Sequence, residues 1–61
     1  MSVHGIAIRE RADNSLVEFV KCGLGREALM VLSGVRRNLG SPYKAEEEVI
    51  TTEEWNELKN G

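Results

Sequence analysis

The sequence predicts a small α+β domain of order β-β-α-β-α, an antiparallel hairpin plus a weak third strand with one main helix packed on the sheet and a short C-terminal helix. Two stretches rich in Ile, Val and Phe, residues 3–11 and 16–22, bracket Ala12-Asp13-Asn14-Ser15, where Asp and Asn tolerate tight-turn geometry. Apolar residues over 24–39 then recur at helical spacing and stop at Gly40-Ser41-Pro42. Finally, the alternating run from Tyr43 to Ile50 leads into Thr51-Thr52-Glu53-Glu54, the pattern of a capping box at a helix start.

A hairpin turn centred on Asp13 and Asn14 sets Arg9 opposite Glu18 and Ile8 opposite Phe19. Ile6, Ile8, Val17 and Phe19 then share the core face, with Arg9 and Glu18 on the other. That second face also carries Val3, Ala7, Leu16, Val20 and Cys22, more apolar surface than a solvated sheet face needs, so it requires a cover.

In the helix, Leu39, Leu32, Val35 and Val31 fall within about 60° of Ala28 and form a core stripe flanked by Leu29 and Arg36. The opposite face holds Arg26, Met30, Ser33, Gly34 and Arg37. Glycine inside a helix costs about 1 kcal/mol relative to alanine, so Gly34 suggests close approach by another backbone or a ligand. The third strand is weak because Glu46, Glu47 and Glu48 are consecutive, which suits a sheet edge. In the last helix, residues 52–59, Trp55 and Leu58 make one apolar ridge, with Ile50 placed as a hydrophobic staple at its start.

Sixty-one residues make one domain, too few for a Rossmann or TIM-type enzyme. The balance of 41% apolar and 30% charged residues is that of a folded chain, although the core is thin and a single cysteine gives no internal disulfide. A homo-oligomer is therefore expected. Without a signal peptide, transmembrane run or lipidation motif, and with Cys22 alone, the expected setting is cytoplasmic and reducing, away from membranes. The net charge of -2 divides into +3 over residues 1–45 and -5 over the last sixteen. Such a chain has no sustained basic stripe for duplex DNA, and one Phe, one Tyr and one Trp make no stacking platform for single strands.

Lys21-Cys22-Gly23-Leu24-Gly25-Arg26-Glu27-Ala28 passes from strand into helix and matches G-x-G-x-x-A. Glycines let backbone N–H groups approach an anion, and a helix N-terminus and two cations add positive charge, making Lys21, Gly23, Gly25 and Arg26 a candidate phosphate site. The chain is too short for the parallel sheet of a dinucleotide fold. Cys22 lies beside Lys21 but on the face opposite His4, so no Cys-His pair is expected. One Cys and one His make no tetrahedral metal set, Glu46–Glu48 are exposed, and no base accompanies a serine. The reading is a non-enzyme with no cofactor.

Three surfaces are candidates for binding: the second hairpin face of Val3, Ala7, Leu16 and Val20, suited to pairing with its copy in a dimer, Met30, Gly34 and Arg37 on the outer helix face, and the Trp55 and Leu58 ridge. No motif matches a named family. In size and style the chain is similar to small accessory proteins of phages and other mobile elements, a likeness that implies binding and blocking a host component. The leading expectation is a self-associating binding module that inhibits or regulates a partner. The alternative is sequestration of a phosphate-bearing metabolite or signalling nucleotide at the glycine turn.

Overall fold

The computed structural model describes residues 1–60 and has the expected element order, β1 (Ser2–Glu10), β2 (Leu16–Lys21), α1 (Arg26–Asn38), β3 (Tyr43–Thr51) and α2 (Thr52–Asn60). The three strands form one antiparallel sheet in the order β2-β1-β3, so β1 is central and β3 lies at an edge. Alternation along β1 sends Ile6 and Ile8 to one face and Val3 and Ala7 to the other. Both faces are covered, and Gly5 to Ile8 is an unbroken buried run.

On one face, Ile6, Ile8 and Ala45 pack under Val31, Leu32 and Val35 of α1 and Leu39 at its C-cap, the expected helix stripe. Ala28 at its start is 1% exposed. The helix is shorter than residues 24–39 because Gly25 takes a positive φ of 70° at the N-cap and Leu39 is already extended.

The hairpin register differs from the expected one. Glu10 N–H donates to the Ser15 carbonyl at 3.0 Å and Asn14 N–H to Glu10 at 2.8 Å, so the turn is centred one residue earlier. Asn14 adopts φ 63°, Ser15 N–H donates to Asp13 Oδ1 at 3.0 Å, and the Ser15 hydroxyl, followed by this N–H, holds the Asp13 carboxyl below its usual range. Leu16 pairs with Arg9, the register shifts, and Glu18 pairs with Ile8, leaving Val17 as the bulged residue. The bulge lets Leu16 and Phe19 share a face although they are three apart. Phe19 thus leaves Ile6 and Ile8 to join Val3 and Ala7, Val20 takes its place under α1, and Val17 is exposed.

Arg9 consequently does not face Glu18. It reaches across to β3, donating from Nε and Nη2 to the two carboxylate oxygens of Glu48 at 2.9 and 2.8 Å. This fork holds the Glu48 carboxyl low and the guanidinium high.

The second sheet face, expected to need a cover, receives α2. Glu54 N–H donates to Thr51 Oγ1 at 3.1 Å and Thr51 N–H to Glu54 Oε1 at 3.2 Å, completing the capping box. Trp55 packs against the cluster of Val3, Ala7, Phe19 and Ile50, so Ile50 and Trp55 make the staple. Its ring meets Phe19 edge-on, centroids 5.8 Å apart. Phe19 in turn lies over Gly5, where a Cβ would stand 2.7 Å from the ring and collide with the Val20 carbonyl.

Candidate functional site

Five regions of the surface bear on function. At the Gly23-Leu24-Gly25 turn, a carboxylate of the chain itself takes the place expected for an anion: Glu27 Oε1 accepts from Gly23 N–H at 2.7 Å. The positive φ of Gly25 creates the turn, and its arrangement brings the N-terminal charge of α1 onto Glu27. An external phosphate at Lys21, Gly23, Gly25 and Arg26 has to displace that group.

Next to the turn, His4 on β1 lies opposite Cys22, just past the end of β2, with Cys22 N–H donating to the His4 carbonyl at 3.1 Å. They face the same side of the sheet, the side of α1, because the one-residue change of register reverses the expected relation. The imidazole does not engage the thiol; its Nδ1 lies 3.2 Å from the Cys22 carbonyl and its Nε2 2.6 Å from Glu47 Oε2. Burial, followed by the charges of Glu27 and Glu47, raises the thiol pKa, which opposes thiolate formation. Among the described residues no group of three or more metal-ligating side chains gathers.

The outer face of α1 is where the sequence places its first partner surface. Arg26, Leu29, Met30, Ser33, Gly34 and Arg37 line a shallow groove of about 370 Å³. Leu29 is 66% exposed and Met30 69%, and the position where a Gly34 Cβ would stand has no neighbour within 4 Å. Among the described residues neither Arg26 nor Arg37 has a carboxylate within 4.0 Å. The second partner surface is divided: Trp55 is half-buried on its own core under Lys59, whose Nζ lies 5.7 Å from the ring centre, while Leu58 borders a small hollow with Val17.

A larger cleft, about 430 Å³, opens where the C-terminal end of α1 meets the start of β3, and sequence reasoning did not single it out. Arg11 and Arg36 line it from different elements, with Leu39, Ser41, Tyr43, Lys44 and Glu46. Arg11 Nε makes a bifurcated bond to the Ser41 and Tyr43 carbonyls, both at 3.1 Å, and its backbone N–H bonds Pro42 at 2.9 Å. Arg36 donates from Nε and Nη2 to the Ala45 carbonyl at 3.2 and 2.9 Å. The available signal was the position of Arg36 beside the core stripe; nothing local links it to Arg11, twenty-five residues earlier.

Comparison with models of known families, with curated proteins and with solved structures finds no match. No helix among the described residues is long and apolar enough to cross a membrane.

Proposed function

We propose that the chain is a non-enzymatic binding module that inhibits or regulates a partner protein by occupying its surface through the outer face of α1. The observation carrying this reading is the exposure of Leu29 and Met30 around the open Gly34 position, with Arg26 and Arg37 free of carboxylate partners among the described residues. Apolar side chains held out on a rigid helix supply contact area at low ordering cost, methionine adapts its shape, and unpaired guanidiniums select carboxylates at the rim. The fitting partner presents an apolar patch fringed by Asp and Glu. The sheet face that motivated self-association is occupied by α2.

Sequestration of a phosphate-bearing metabolite at the glycine turn has less support, because Glu27 already satisfies the Gly23 N–H. A photo-crosslinking amino acid placed at Met30 should trap a discrete partner in cells, whereas one at Glu53 on α2 should not. The adduct should disappear with Arg26→Glu plus Arg37→Glu and with Gly34→Trp. Gly34→Ala should raise folding stability by about 0.5–1 kcal/mol through helix propensity, confirming that the position has room. Equal adducts from both sites, or an adduct that survives Gly34→Trp in a folded protein, would overturn the proposal.

A further inference from the structure

The geometry of the cleft between α1 and β3 points to a second binding site: we propose that Arg11 and Arg36 hold the phosphate of a small phosphomonoester. Both guanidiniums are pinned by backbone carbonyls and not by carboxylates, so each is oriented while keeping its charge. Among the described residues, both Nη groups of Arg11 and Nη1 of Arg36 have no protein acceptor. A guanidinium whose rotamers are already fixed loses little further freedom on binding, and its planar fork matches the spacing of phosphate oxygens.

Two such forks on one cleft favour a ligand group with at least three acceptor oxygens and more than one negative charge, which selects phosphate over carboxylate. The volume of about 430 Å³ falls in the range of small-ligand pockets, and Leu39 and Tyr43 offer an apolar wall beyond the arginines. Glu46 borders the cleft through the strand edge, while its pairing with Ala7 turns its carboxylate to the α2 side of the sheet. The ligand class is therefore a phosphomonoester whose organic part packs on the Leu39 and Tyr43 wall, a sugar phosphate or a nucleoside monophosphate. This site is independent of the outer face of α1.

Titration of the full chain with inorganic phosphate, glucose 6-phosphate and AMP at low salt, followed by proton–nitrogen NMR, tests the assignment. Saturable shifts are expected at the Arg11 and Arg36 Nε signals and at the amides of Ser41, Tyr43, Lys44 and Ala45, with at least one organic phosphate binding tighter than phosphate itself. The comparison of the two organic ligands separates the sugar-phosphate and nucleotide sources. Arg11→Gln and Arg36→Gln should each weaken binding about tenfold, the loss of one charge-assisted hydrogen bond. Lys21→Gln and Arg26→Gln at the glycine turn should leave it unchanged. Should Arg36→Gln unfold the chain, the wild-type shift map and Arg11→Gln decide. Absence of saturable shifts, shifts centred on Gly23 to Arg26, or inorganic phosphate outbinding both organic ligands would overturn the site.

Discussion

The two faces of the sheet solve the same problem with unequal means. Under α1, burial is shared among Ile6, Ile8 and Ala45 below and Val31, Leu32, Val35 and Leu39 above, with Val20 and Tyr43 at the margins. Under α2, the nine-residue helix delivers one large side chain, Trp55, onto Val3, Ala7, Phe19 and Ile50. Where many side chains share the contact, loss of one at the edge leaves a helix attached; where one ring carries it, the element depends on that ring. The difference also explains why the longer helix can leave its outer face free for a partner.

The sharpest way to break the first face is at its centre. Ile6 is fully buried on the middle strand, and Ile6→Ala should cost about 3 kcal/mol, read as a lowered urea midpoint for the whole domain. A change of that size approaches the entire stability expected of a chain this short. Breaking the second face should be smaller and local. Trp55→Ala should cost about 2 kcal/mol, below the range for a fully buried ring because Trp55 is only half-buried. Amide exchange should rise throughout α2 while α1 keeps its protection; equal loss in both helices would show that the faces fold as one unit.

The smallest effect belongs to the charged seam on the α2 side. Arg9 holds the Glu48 carboxyl below its ordinary value, so the pair stabilises the fold above the unfolded carboxyl pKa, and that contribution is lost as pH falls through the lowered folded value. The expected loss is about 1 kcal/mol or less for a pair with part of its surface in water. Denaturation measured from neutral pH down to acid should show it, and Glu48→Gln should flatten that part of the profile.

The element order, the stripe of α1, the edge position of β3 and the capping box at Thr51 were all legible, because each is written in local spacing or in neighbouring residues. The hairpin register was not. Pairing Arg9 with Glu18 satisfies both charges within the hairpin, but the structure offers Arg9 a better fork at Glu48, on a strand nearly forty residues away. The bulge at Val17 is equally silent locally, since only the choice of face for Phe19 against Gly5 reveals it. At the candidate sites, the outer face of α1 follows from periodicity. The Arg11 and Arg36 cleft arises from chain return, and Glu27 at the glycine turn shows a motif answered by the chain's own side chain.

The passage from β3 to α2 has no linker: Thr51 ends the strand and Thr52 begins the helix. Strand phase and helix phase are therefore geared together. One residue inserted at that junction would rotate the following side chains by about 100° and swing Trp55 away from Phe19. Insertions between Arg11 and Asn14, or between Leu39 and Pro42, fall in loops instead and shift no such gear. Length variation in this fold is thus permitted at the β1–β2 and α1–β3 connections and forbidden between β3 and α2.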